Sequence, residues 1–90
     1  MSPHPCFVYV LGTVGQTVPG DIRTYVGWSN DIAARLSKHN AGDGAKSTRG
    51  RQWQLLYAEL FFTRGDAMSR EWYLKRDRKF RKALAKNWSN

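Results

Sequence analysis

Thr24-Tyr25-Val26-Gly27-Trp28-Ser29-Asn30-Asp31-Ile32-Ala33-Ala34-Arg35-Leu36 passes from strand to helix within a few residues. Ile22 to Trp28 reads as a strand, because Thr24, Tyr25 and Val26 favour extended backbone. Gly27 suits a place where backbone or a ligand comes close. Ser29, Asn30 and Asp31 are capping types, each able to accept a bond from an orphan helix N–H. Ile32 to Leu36 is helical in propensity and spacing. A phenol therefore leaves the end of a strand just before a helix that carries Arg35 and His39. Those two lie four residues apart and share a helix face. Phenol, guanidinium and imidazole come within reach of one pocket.

Upstream, Cys6 to Leu11 is a short apolar run that reads as a buried strand. Gly12 to Gly20 holds three glycines and Pro19 and reads as a long hairpin loop. The two strands would pair antiparallel and bring Tyr9 and Tyr25 into one sheet. Downstream, the helix runs from about Asp31 to Asn40 and stops at Ala41-Gly42, where glycine suits a left-handed cap. Asp43 to Arg51 follows as a glycine-punctuated basic loop. Its Lys46, Arg49 and Arg51 suit phosphate contacts, the plain alternative being a solvated connector.

Trp53 to Phe62 reads as a third strand, with Leu55, Tyr57, Glu59 and Phe61 on one side and Leu56, Ala58, Leu60 and Phe62 on the other. Glu59 is the odd member. Thr63 is placed to cap a second helix, with Asp66 in its first turn. Ala67, Met68 and Leu74 define that helix's apolar face, with Trp72 at the margin. Glu71 falls in the middle, about 40° from Ala67 and about 60° from both Met68 and Leu74. A carboxylate there is costly unless it is paired, hydrogen-bonded or holding a metal. Lys75 and Arg35 are candidate ion-pair partners; the functional alternative is a working acid. Arg76 to Lys86 carries six of the fifteen cations, with Phe80 and Leu84 turned inward. This basic amphipathic helix is either a solvated face or one that faces DNA.

Ninety residues make one domain, 1–90, with its core at about 6–86. Apolar residues make up 41% of the chain, enough for a real core and against disorder. The lone Cys6 excludes an internal disulfide, reads as an inert buried thiol, and fits a reducing, cytoplasmic compartment. No signal peptide and no membrane span is expected. A net charge of +8 favours polyanionic partners, nucleic acid first. With one Cys and two His a zinc site lacks ligands. Seven scattered acids offer no paired carboxylates for a two-metal centre.

Val8-Tyr9-Val10 and Tyr25-Val26-Gly27 resemble the paired motifs of the GIY-YIG nuclease superfamily. The resemblance extends through Arg35-Leu36-Ser37-Lys38-His39-Asn40, Gly44 to Thr48, Leu55 to Glu59 and Ser69 to Lys75. In order and spacing it covers nearly the whole chain, and it is greatest to the small single-domain bacterial members. It implies an α+β fold in ββαβαα order, a three-stranded antiparallel sheet flanked by helices. It implies endonuclease activity: hydrolysis of phosphodiester bonds in DNA with one Mg²⁺, Mn²⁺ serving in its place. Tyr9 and Tyr25 then match the motif tyrosines, Arg35 and His39 the helix residues, and Glu71 the metal carboxylate. Tyr9 is favoured as general base, with Tyr25 orienting water or phosphate.

Lys46, Arg49, Arg51, Lys75 and Arg78 are the expected nucleic-acid contacts. Two departures stand out: Phe7 replaces a glycine of the first motif, and Ser47 stands where relatives often carry a tyrosine or histidine. Asn87 matches a polar residue at the end of the site. Taken singly, both tyrosines, Arg35 and His39 read as packing or ion-pairing groups. The four tryptophans read mainly as core or sheet cover. The alternative function is a non-catalytic nucleic-acid-binding module on the same scaffold. A third reading is a protein-interaction role in DNA repair or recombination, with a protein partner supplying target specificity.

Overall fold

The computed structural model describes residues 5–14, 22–44 and 50–88. Its elements are β1 (Cys6–Val14), β2 (Thr24–Ser29), α1 (Ile32–Asn40), β3 (Gln52–Phe61), α2 (Arg64–Arg76) and α3 (Arg78–Trp88). The three strands form one antiparallel sheet in the order β2-β1-β3. The fold is therefore α+β, in the ββαβαα order expected from the sequence.

Register decides which side chains share a face. Tyr9 pairs with Gly27 and Ala58, Val10 with Val26 and Tyr57, and Leu11 with Tyr25 and Leu55. Side chains alternate along each strand, so Val8, Val10 and Val26 face one way and Tyr9, Leu11 and Tyr25 the other. On the first face Val8, Val10 and Leu74 are fully buried, with Phe80 and Leu84 packed against them. On the second face Tyr9, Leu11 and Trp53 are buried beneath Ile32 and Leu36 of α1. Thus α2 and α3 cover one side of the sheet and α1 the other. Each fully buried Leu or Val contributes about 1.5–3 kcal/mol of apolar burial.

The strands depart from expectation in two ways. β1 continues to Val14, three residues past the expected end, because Gly12 and Thr13 still find partners. The Thr13 amide donates to the Arg23 carbonyl at 3.0 Å, and the Arg23 amide to Thr13 Oγ1 at 2.9 Å. The supposed loop Gly12–Gly20 therefore begins as strand, and 15–21 lie outside the described residues. In β3, strict alternation breaks at a bulge opposite Val10/Leu11. Leu56 and Tyr57 both pack toward α2 and α3, while Leu55 joins Trp53 beneath α1. One extra residue in the strand reverses its facing.

The helices are closed by their ends. Asp31 caps α1, its side chain accepting from the Ala34 amide. At the other end Gly42 (φ 84°) donates to His39 and Asp43 to Lys38, a Schellman closure that needs a left-handed residue. Thr63 caps α2 through the Asp66 amide. Asp77 ends α2, and its carboxylate accepts from the Phe80 amide to start α3. No helix of the described residues is long and apolar enough to cross a membrane.

Candidate active site

The Tyr9 ring reaches over β2 because its partner across the strands, Gly27, has no side chain. A Cβ on Gly27 would lie 2.6 Å from the Tyr9 hydroxyl oxygen and 2.8 Å from Cζ. The phenol so placed meets α1, where Tyr9 Oη and His39 Nε2 lie 3.3 Å apart in a buried hydrogen bond. The Tyr25 ring packs against the His39 imidazole (centroids 4.8 Å apart) and Tyr9 (6.4 Å). Trp53 closes the far side of Tyr25. His39 is only 3% exposed, and Gly44 lies against its ring where any Cβ would collide. Two phenols and an imidazole thus form one packed group.

Asn40 fixes α1 at this height. Its carbonyl oxygen accepts from the Trp53 amide at 2.6 Å, and its amide donates to the Trp53 carbonyl at 3.0 Å. Both backbone groups at the start of β3 are satisfied by one side chain. The helix is thereby tied to the sheet one residue beyond His39.

Electrostatics link the packed group to two charges. Burial is the main cause pushing the Tyr9 phenol up to about 12; Tyr25 and Glu71 push the same way and Arg35 opposes them. Tyr25 is raised by burial, then by the Glu71 carboxylate, again against Arg35. His39 is lowered by burial first and by Arg35 second. Arg35 is exposed on α1, yet its charge acts on all three rings. Glu71, on a helix covering the other side of the sheet, acts on both phenols. Arg35 thus biases both phenols and the imidazole, and Glu71 the two phenols.

Glu71 itself is half-buried, its side chain 20% exposed. Its ion pair is with Lys75 Nζ at 3.8 Å, a lysine 53% exposed, and pairs of that kind contribute little. The expected apolar face around Glu71 needs correction. Ala67 and Leu74 are buried, but Met68 is 48% exposed and Trp72 52%. Glu71 thus borders a narrower stripe rather than sitting mid-face. Trp72 is no core residue; the Arg76 guanidinium stacks on it at 3.6 Å.

Among the described residues no group of three or more His, Cys, Asp or Glu gathers as a cage for a metal ion. The donor that Glu71 offers is one hard carboxylate. That suits a cation such as Mg²⁺, which keeps most of its waters.

Of the remaining expected contacts, Lys75 stands beside Glu71 and Arg78 is exposed at the start of α3. Arg51 is partly buried next to β3. Lys46, Arg49 and Ser47 lie outside the described residues. Asn87 is exposed on α3. Glu59, the odd acid of β3, accepts from Tyr57 Oη at 2.9 Å and from Arg70 Nε at 3.0 Å. It is a structural tie between sheet and α2. Sequence reasoning did not single out Asn40; a polar side chain in the last turn of a helix, before a glycine closure, was the available signal.

The chain is similar to known proteins over most of its length. The GIY-YIG catalytic domain family matches residues 6–84. A UPF0213 protein of Lacticaseibacillus paracasei is 44% identical over 85 residues, covering 93% of this chain and 89% of that protein. One from Clostridium perfringens is 39% identical over 71 residues, covering 78% and 70%. Another, from Haloquadratum walsbyi, is 44% identical over 70 residues, covering 77% and 72%. No solved structure matches the chain. The chain belongs to the GIY-YIG catalytic domain family, a family of nuclease-type domains.

Proposed function

We propose that the protein is a divalent-metal-dependent endonuclease that hydrolyses phosphodiester bonds in DNA at the Tyr9–Tyr25–Arg35–His39–Glu71 cluster. The observation that supports this reading is the packed group of Tyr9, Tyr25 and His39 from β1, β2 and α1, whose two phenols the Arg35 and Glu71 charges bias in opposite directions. A merely structural carboxylate would hold a close internal partner; among the described residues Glu71 pairs with an exposed lysine at 3.8 Å.

Tyr9 is the base in this scheme. At a pKa of about 12 the free phenol is ionised in only about one molecule in 10⁵ at pH 7, so it needs help. His39, kept neutral by burial and by Arg35, offers Nε2 as acceptor for the Tyr9 proton. The phenolate so formed takes a proton from the attacking water, whose oxygen bonds to phosphorus as the leaving oxygen departs. Arg35, exposed beside the rings, donates paired N–H bonds to the non-bridging oxygens and offsets the charge that builds there. Tyr25 holds water or phosphate in line. When bound at Glu71, Mg²⁺ supplies Lewis-acid stabilisation of the phosphate and the leaving oxygen.

The test is nicking of supercoiled plasmid by the purified full chain in Mg²⁺. The expected result is open circles from the wild type and none from Glu71→Gln or Arg35→Ala. Binding of DNA with no cleavage of duplex, flap or single strand in Mg²⁺ or Mn²⁺ would replace the reading with a non-catalytic binding module.

A further inference from the structure

Between the start of β2 and α3 lies a groove of about 740 Å³, lined by Ile22 and Ala83 together with Arg78, Arg81, Lys82 and Lys86. It is large enough for a drug-sized molecule rather than a lone ion. Among the described residues no acidic side chain lines it. Arg81 is fixed in its wall: Nη1 donates to Thr24 Oγ1 at 2.9 Å, Nε to the Leu74 carbonyl at 3.0 Å and Nη2 to the Lys75 carbonyl at 2.8 Å. This guanidinium closes the last turn of α2 and presents a fixed charge beside β2.

The other three cations stand at i, i+4 and i+8 on α3, in one row along its surface. Like charges at that spacing destabilise a helix. Nothing acidic is interleaved, and Arg78 and Lys82 are exposed with no ion-pair partner among the described residues. The row rises about 6 Å per cation, comparable to the step between successive phosphates of a nucleic-acid strand. Such an arrangement is unfavourable in isolation and becomes favourable against a polyanion, where each neutralised phosphate releases counterions.

Arg81 ties the groove to β2 and α2, the elements that carry Tyr25 and Glu71. Thr24, which accepts from Arg81, immediately precedes Tyr25. Lys75, whose carbonyl Arg81 holds, is ion-paired with Glu71 at 3.8 Å. We propose that this groove is a second nucleic-acid site, which seats the sugar-phosphate backbone flanking the scissile bond. The apolar lining faces the sugars and the cation row takes the phosphates. The proposal rests on reading the tyrosine cluster as a DNA-cleavage site.

The test is fluorescence anisotropy of a labelled DNA duplex with the full-length protein in EDTA, where cleavage does not enter. Lys82→Ala is compared with Lys79→Ala, an exposed lysine of the same helix that does not line the groove. Both variants keep the net charge equal, and circular dichroism checks their fold. Lys82→Ala is expected to weaken binding about 3- to 10-fold and to reduce the salt slope by about 1. Lys79→Ala should change affinity less than about 2-fold on the same grounds. Adding Arg78→Ala to Lys82→Ala should deepen the loss. Equal effects of the two lysines, no effect of either, or no measurable binding by the wild type would overturn the proposal. Retained DNA binding with loss of binding to an acidic peptide would overturn it in favour of a protein partner. The outcomes separate from those of the cleavage reading: groove-dependent binding without nicking in Mg²⁺ sinks only the latter, and nicking with indifferent groove variants sinks only the former.

Discussion

Tyr9 is held in a conflict of forces. Burial, Tyr25 and Glu71 keep its phenol protonated, while the Arg35 charge opposes them. Tyr9→Phe keeps the ring that packs over Gly27 and removes only the hydroxyl. Cleavage should fall about 10²- to 10⁴-fold, the range for loss of a positioned base, while the melting temperature changes little. Glu71→Gln should lower the phenol pKa of Tyr25, because a negative charge beside it now disfavours phenolate. Phenolate absorption in an alkaline titration checks the sign. An unchanged or higher Tyr25 pKa would break the electrostatic link between α2 and the strands.

At the level of the elements, the site depends on how closely β2 and α1 approach β1 and β3. Gly27→Ala should displace the phenol that lies where a Cβ would stand. A shift near 1 Å is enough to cost about 10²-fold in rate, so a folded Gly27→Ala protein with wild-type cleavage would refute this placement. Asn40→Ala should lower stability by about 1–3 kcal/mol, since it removes two part-buried hydrogen bonds to the Trp53 backbone. Denaturant unfolding measures this. The elements themselves were legible in the sequence: capping residues at Asp31 and Thr63, the glycine after Ala41, and three runs of strand formers. The bulge was not, because Leu55-Leu56-Tyr57 is apolar throughout and carries no alternation to mark the extra residue. Nor was the exposure of Met68 and Trp72, which a wheel counts as apolar regardless of whether a neighbouring element covers them. Glu59 was visible as an anomaly, but its partner Arg70 lies on another element.

The whole molecule joins distant parts of the chain: Tyr9 and His39 are 30 residues apart, and Glu71 is farther still. Periodicity alone does not reveal such pairings; the ordered motifs named these residues together, by resemblance. Burial also gives the fold a pH dependence. His39 resists protonation in the folded chain more than in the unfolded one, so the unfolded state binds the extra proton as pH falls. Stability should therefore drop as pH is lowered through about 6.5. His39→Gln should narrow the difference in melting temperature between about pH 7.5 and about pH 5. The most direct measurement is Mn²⁺ line broadening in the nuclear magnetic resonance spectrum of the full chain. The expected result is broadening centred on Glu71 that reaches the Tyr9 and Tyr25 rings and vanishes in Glu71→Gln. Broadening centred on other acids, or identical in the variant, would contradict a metal-bearing carboxylate at the heart of the tyrosine cluster.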